Sequence, residues 1–387
     1  MEMKIVLSIL LTTTTLIGLK AQSFEDENLI HLYQPTSEVQ FNYCLVREKD
    51  SLSIYYTLKT AISESLQLAW EARGSYAEKS GKQLSVDSIQ LSANGTISGQ
   101  YKVGLQADPW LLVLNIRQST TGRSWPYPML IEKNYPVNGF IEKNNEKILE
   151  PYLKPNTSYR FEFPGESSDL FFSYYARDFS SPFPPFSINT GTVDPVLIPD
   201  STFTLENRSE MSFDKEGLYL VQTDTISVQG ISFRVESQSF PKYTTIQDLI
   251  GPLVYISTQD EFKALQGAQG DKLKFDQIIL GITKDKDRAR RFMKSYFSQV
   301  EMANRLFTSY KEGWKTDQGM IYILFGLPDE IRQTDQNQLW YYKNSRTKFS
   351  FVKRGSIYDP HYYSLFRDEQ YSELWYNTVD LWRKGRF

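Results

Sequence analysis

Asp317, Asp329 and Glu330 flank a short apolar run, Met320-Ile-Tyr-Ile-Leu-Phe325. A hydrolase could use such carboxylates if two of them came within about 5 to 10 Å of each other. Read as a strand, the run holds Asp317 and Asp329 apart, and they converge only if the flanking turns fold back. A structural role competes with that chemistry. In Thr316-Asp317 both side chains can accept from nearby backbone amides in a turn, and Pro328-Asp329-Glu330 resembles the opening of a helical turn. No residue is therefore assigned a catalytic role.

Other reactive side chains are scarce. The chain has two histidines, His31 and His361, and one cysteine, Cys44. A zinc site built on His or Cys ligands lacks its residues. Neither histidine lies near a Gly-x-Ser-x-Gly elbow, and neither a Walker-type loop nor Gly-x-Gly-x-x-Gly occurs. No cofactor or metal is expected. Cys44, in Phe41-Asn-Tyr-Cys-Leu-Val46, reads as a small buried apolar side chain. One cysteine makes no internal disulfide, so stability rests on packing.

Aromatic residues abound, with 24 Phe, 25 Tyr and 7 Trp. Trp314 is expected to plug a core, its ring N–H meeting a backbone carbonyl. The alternative is the floor of a shallow groove shared with Trp340, Tyr341 and Tyr342. Basic side chains gather at Lys284, Lys286, Arg288, Arg290, Arg291 and Lys294, and again at Lys343, Arg346, Lys348, Lys353 and Arg354. They read as solvated faces, with an anionic glycan, headgroup or acidic partner as the sharper alternative.

The elements that must position these residues change in character along the chain. Alternating patterns at Leu52–Leu58, Leu84–Ile89 and Gln100–Leu105, with a buried strand at Trp110–Ile116, describe a first β-sandwich over residues 22–132. Asn94-Gly95 is a tight-turn signal. Residues 61–79 could hold a strand or a short helix. Trp125-Pro-Tyr-Pro128 suits a domain edge, because proline donates nothing to a ladder. A second sandwich, residues 133–237, carries strands at Ser158–Phe163, Leu170–Ala176, Leu218–Gln222 and Ile231–Val235. Its Ser180–Ser187 stretch, with three prolines, is a rigid extended loop. Residues 238–387 are mixed α+β. Short helices at Tyr243–Ile250 and Gln259–Leu265 surround a strand at Leu253–Ile256, and a long helix spans Asp285 to about Leu306. Strands follow at Met320–Phe325, Gln338–Tyr342 and Phe349–Val352.

Met1–Lys4 is a short charged start, Ile5–Leu19 an uncharged, largely apolar run, and Ala21 a small residue for cleavage. This is the pattern of a secretory signal peptide over residues 1–21, too short for a spanning helix. No later segment approaches the roughly 18 to 20 apolar residues of a membrane helix. The mature chain would carry a net charge of about −4, which argues against a nucleic-acid partner.

Gly313-Trp314-Lys315-Thr316-Asp317, running into Gln318-Gly319-Met320 and on through Gly326-Leu-Pro328-Asp329, resembles the GWxTD domain, a bacterial family seen mainly in envelope proteins of Bacteroidota and related phyla. The family has no agreed biochemical activity. The resemblance implies an exported, periplasmic or outer-membrane-associated protein with a C-terminal GWxTD domain; strand periodicity alone gives the two immunoglobulin-like β-sandwiches that precede this α+β domain. It implies binding or scaffolding of another envelope component, protein or glycan, with Trp314, Thr316, Asp317, Asp329 and Trp340 as candidate contact residues. A carbohydrate-binding or glycan-processing accessory and a hydrolase using Asp317 or Asp329 are the alternatives. Intact-mass measurement on protein from the native host is expected to give a chain lacking residues 1–21. A mass that includes Met1 to Lys20 contradicts the signal-peptide reading.

Overall fold

Long alternating strands dominate the first two-thirds of the chain, and they pair in the computed structural model as that alternation requires. The structure describes residues 23–387 except 63–64, 91–94, 107–108, 166–168, 177, 190–196 and 269. The expected signal segment and Asn94 of the expected turn lie outside the described residues.

The first β unit contains β1 (Val39–Arg47), β2 (Ser51–Thr60), β3 (Ser65–Arg73), β4 (Lys82–Gln90), β5 (Gly95–Gly104), β6 (Trp110–Gln118) and β7 (Ser124–Ile131). They form two antiparallel sheets, ordered β1-β2-β5 and β4-β3-β6-β7. The sheets share one core: Val39, Phe41, Ile54 and Leu58 of the first meet Leu68, Trp70, Leu112, Leu114 and Ile116 of the second. Residues 61–79 thus supply a strand rather than a helix. Trp125-Pro-Tyr-Pro128 lies within β7, an edge strand, where two missing donors leave no central ladder broken.

The second β unit contains β8 (Phe140–Lys143), β9 (Glu146–Lys147), β10 (Tyr152–Leu153), β11 (Ser158–Glu162), β12 (Asp169–Tyr175), β13 (Ser201–Glu206), β14 (Glu210–Ser212), β15 (Gly217–Gln222) and β16 (Ile231–Val235). Its sheets run β14-β11-β8-β9 and β10-β16-β15-β12-β13, around Phe161, Phe172, Phe213, Tyr219 and Phe233.

Helices appear in the last region: α1 (Ile246–Ile250), α2 (Gln259–Gln266), α3 (Lys272–Thr283), α4 (Lys286–Phe307), α5 (Asp317–Phe325) and α6 (Ser372–Arg383). They pack on an antiparallel sheet ordered β17-β18-β19-β20, formed by Glu330–Gln333, Asn337–Tyr342, Thr347–Lys353 and Tyr363–Leu365. Local chemistry explains the boundaries. Thr258 and Glu261 form a capping box on α2, and the Asp271 and Asp285 carboxylates cap α3 and α4. The inward face of α4 is Phe292, Tyr296, Val300, Ala303 and Phe307, rotated from the Ala289, Met293 and Phe297 that the sequence pattern also included.

Three sequence expectations fail here. Met320–Phe325 is helix, not strand. A short apolar run has no period to separate a buried strand from a buried helix, and the deciding feature is a cap: the Thr316 hydroxyl accepts the Gly319 N–H. Leu253–Ile256 is not a strand either, and Gly251–Tyr255 forms a 3-10 turn with Pro252 inside it. Pro328-Asp329 leads into β17 instead of a helical turn.

The regions share their cores. In β6, Leu112 and Leu114 face the sandwich interior while Leu111 and Val113 join the core of the C-terminal region, so both faces of this strand are buried. Phe24, Leu29 and Tyr76 enter that same core. The Leu29 N–H donates to Ile331 O at 2.8 Å, and Asn28 Oδ1 accepts the Ile331 N–H at 3.0 Å, fastening the N-terminal segment to β17. Leu29→Ala is therefore expected to lower stability by about 2–5 kcal/mol, the range for truncating a fully buried leucine. Denaturant unfolding measures this, and an unchanged midpoint contradicts the shared core.

Candidate functional site

Gly313 begins a single 3-10 turn, Gly313–Lys315, wedged between α4 and α5. A Cβ on Gly313 would lie 2.0 Å from the Ala303 carbonyl oxygen of α4, and one on Gly319 would lie 1.9 Å from the Gly313 carbonyl oxygen. Both are backbone collisions, so only glycine permits this stacking of α4, turn and α5. Buried Asn304 of α4 holds the turn: its Oδ1 accepts the Trp314 N–H at 3.1 Å and its amide donates to Pro241 O. The Thr308 hydroxyl accepts the Gly313 N–H at 3.0 Å. The Thr316 hydroxyl donates to Gly313 O at 2.7 Å while capping α5.

Trp314 is a core plug, only 7 % exposed, as the sequence suggests. Its ring N–H, however, donates to the Tyr243 hydroxyl at 2.9 Å rather than to a backbone carbonyl, and its own carbonyl accepts from Tyr255. The Trp340 ring is fully buried beside Tyr33, Phe307 and Phe351, with its N–H on Gln338. Asp329 accepts the Lys343 N–H at 2.7 Å and acts as a loop acceptor.

Asp317 does not work as a local turn acceptor. Its carboxylate takes the distant Leu365 N–H at 2.8 Å and pairs with Arg367, both side chains being almost completely buried. Arg367 also donates to Phe183 O of the proline-rich strap at 3.0 Å, and the strap's Pro185 O accepts the Asp368 N–H. Asp317 and Asp329 thus serve separate structural ends of α5.

A cleft of 540 Å³ lies beside this turn, lined by Trp314, Tyr243, Glu236, Glu312, Lys315 and the exposed Asp178 among others. Arg234 pairs with Glu236 and, at 3.4 Å, with Glu312. Lys315 bridges Glu312, at 3.0 Å, and Asp178. Burial pushes the Glu236 carboxyl up to about 7 against the pull of Arg234. Burial also raises Glu312, but Arg234 and Lys315 outweigh it and leave Glu312 below the usual carboxylate range.

Sequence reasoning missed this charged group. Arg234 and Glu236 sit two apart at a strand end, a spacing that places them on one face, and Glu312 directly precedes Gly313. Arg367 carries no local signal at all. The reactive residues of the sequence lie elsewhere. Burial pushes the Cys44 thiol up to about 12 and draws His31 down to about 4, with His31 Nε2 on Pro126 O. Among the described residues no three His, Cys, Asp or Glu side chains converge as a metal would need.

The family model for the GWxTD domain matches residues 217–384. The protein carries a GWxTD domain. The match opens at Gly217 in β15, so Arg234 and Glu236 fall inside it together with Glu312 and the GWxTD turn. No curated protein matches the chain. Solved structures with local likeness include a calcium-binding mutant of Bacteroides uniformis beta-glucuronidase 2 (16 % identity, 25 % of this chain and 13 % of that one, TM-score 0.19). A Kluyveromyces marxianus beta-glucosidase is similar (11 %, 24 % and 14 %, TM-score 0.18). So is trypsin-activated alpha-2-macroglobulin from Escherichia coli (12 %, 52 % and 16 %, TM-score 0.18). The chain spans less than a fifth of each, and scores of this size carry no argument.

Trp314→Ala is expected to cost about 3–5 kcal/mol, as for a deleted core aromatic. Gly313→Ala should leave little folded GWxTD domain, because its clash is with backbone. Thermal unfolding followed by near-ultraviolet circular dichroism measures both, and a parent-like melt for Gly313→Ala contradicts the stacking.

Proposed function

We propose that this is an exported, non-enzymatic envelope protein that binds or scaffolds another envelope component through its GWxTD domain. One observation carries the reading: the polar groups of the GWxTD turn are engaged by the protein's own fold. Asp317 is held by Arg367 and Leu365, Thr316 by Gly313 and Gly319, and the Trp314 ring N–H by Tyr243. A carboxylate locked in a buried ion pair is poorly placed to exchange protons with a substrate, so the motif acts as architecture. Export rests on the apolar run at residues 5–19 with Ala21 behind it. Among the described residues no helix is long and apolar enough to cross a membrane.

The β units act as immunoglobulin-like spacers. Strand order supports this for the first unit. Numbering β1 to β7 as A to G, one sheet is A-B-E and the other keeps C, F and G together with the fourth strand at its edge, a variant of the immunoglobulin arrangement. Glycan recognition is the weaker reading, because all seven tryptophans are buried and none offers a stacking platform.

Crosslinking of the full chain in the native envelope, with mapping of the linked residues, tests the proposal. Links from residues 217–384 to a specific envelope protein are expected. Links confined to residues 23–216, or turnover of an envelope glycan or peptide that a folded Asp317→Asn variant abolishes, overturn it.

A further inference from the structure

The outer edge of β1 carries backbone groups that the fold leaves unpaired. β1 begins the sheet ordered β1-β2-β5, and its register with β2 is continuous from Val39 to Arg47. In such a pair the N–H and C=O groups of successive residues point alternately toward the neighbouring strand and away from it. Contacts at the two ends fix the phase. Glu38 O accepts from Ala61 and the Glu48 N–H donates to Ser51 O, so even-numbered residues face β2. Val39 O accepts the Tyr127 hydroxyl at 3.0 Å and the Arg47 N–H donates to Val137 O at 2.7 Å, so odd-numbered residues face outward. Those two contacts cover the ends of the edge. Between them, the Tyr43 N–H and C=O have no partner among the described residues. Backbone groups of this kind are almost always paired, and an added donor and acceptor recover what they lack.

A second observation is independent of that count. Long edge strands are ordinarily guarded by charge or proline. In the first β unit β4 carries Lys82 and Asp87, β5 carries Lys102, and β7 carries Pro126 and Pro128. β1 has neither from Val39 to Val46. A cleft of 600 Å³ lies along this unguarded stretch, within the size range of ligand sites. Its walls are residues 40–43 of β1, residues 149–152 leading into β10, and Met302, Arg305 and Leu306 of α4. Four consecutive strand residues reach it, whereas one sheet face shows only alternate side chains, so the cleft meets β1 along its edge. Phe41 and Tyr43 stack at 5.5 Å on one face of β1, and exposed Asn42 lies on the other.

We propose that this edge binds an extended peptide segment of a partner protein, which lies in the cleft as one more strand beside β1. Such strand addition takes its affinity from main-chain hydrogen bonds and its selectivity from alternate side chains. The segment exchanges hydrogen bonds with Tyr43, sets apolar side chains beside the Phe41–Tyr43 pair and polar ones beside Asn42. The inference goes beyond the scaffold reading and does not rest on it: it adds a strand-pairing site where α4 of the GWxTD domain meets the first β unit.

Fluorescence anisotropy of a labelled Ser-Val-Thr-Val-Thr-Val-Ser peptide, titrated with the full chain, tests it. Two further peptides carry N-methyl groups on the valines or on the threonines, which removes the N–H groups along one side of the strand only. The parent peptide is expected to bind saturably. One methylated peptide is expected to bind at least about tenfold more weakly, the loss of one or more backbone hydrogen bonds, while the other keeps the parent affinity. Apolar side chains beside Tyr43 in an antiparallel pair make the valine-methylated peptide the weak one, and weakness of the threonine-methylated peptide reports the parallel direction. On the protein side, Tyr43→Pro removes the outward N–H and leaves the β2 ladder intact, whereas Tyr43→Ala removes only the ring. With folding checked by circular dichroism, Tyr43→Pro should bind about tenfold more weakly than Tyr43→Ala. No saturable binding of the parent peptide, equal affinities of both methylated peptides, or equal binding by folded Tyr43→Pro and Tyr43→Ala overturns the inference. Dimers of the full chain that Tyr43→Pro dissolves, with no peptide bound, give the edge to a second copy and overturn it as well.

Discussion

The buried pair of Asp317 and Arg367 is the interaction on which the C-terminal architecture depends. Two charges taken out of water are costly unless each is fully coordinated. Here the carboxylate gains the Leu365 N–H as well as the guanidinium, and the guanidinium reaches the carbonyls of Phe183 and Leu365. Three distant pieces of chain meet at this point: the first turn of α5, the segment leaving β20, and the proline-rich strap of the second β unit. With its first turn fixed there, α5 runs through the protein interior, buried on every side until its last residue. Trp382 closes over the far end by donating to Leu324 O.

The same economy of contacts joins the regions to one another. Inter-domain surfaces within a chain are ordinarily modest and polar. In this protein β6 contributes to two cores at once, and Phe24, Leu29 and Tyr76 complete the GWxTD core from the N-terminal side. Lys353 reaches Glu132 at 2.8 Å across that junction, while Arg234 donates to Tyr310 O between the second β unit and the GWxTD turn. A protein assembled this way presents its surfaces in fixed relative positions, which suits a scaffold.

Periodic features were legible in the sequence and long-range ones were not. The strands of both β units follow from alternation, and α4 follows from three- and four-residue spacing ended by capping groups. The motif was visible through its resemblance to the GWxTD family, and of its residues Gly313 and Thr316 act locally, one by close backbone approach and the other by capping α5. The strand expected at Met320–Phe325 failed because an element buried on all sides has no polar face to set a period. The role of Asp317 failed for a different reason: its partners lie at Leu365 and Arg367, and nothing near residue 317 encodes them. The charged cleft was hidden in the same way, since Arg234 and Glu236 meet Glu312 only after β16 docks against the turn.

The central claim is that the aspartate of the GWxTD motif is half of a structural ion pair. A double-mutant cycle on unfolding free energy, using Asp317→Asn, Arg367→Gln and the double variant, measures it most directly. Each single change is predicted to cost about 3–5 kcal/mol, as expected when one member of a buried pair is removed. The double variant is predicted to cost less than their sum by about 1–3 kcal/mol, the coupling expected of directly paired residues. Additive costs, or an Asp317→Asn variant as stable as the parent, would contradict the account.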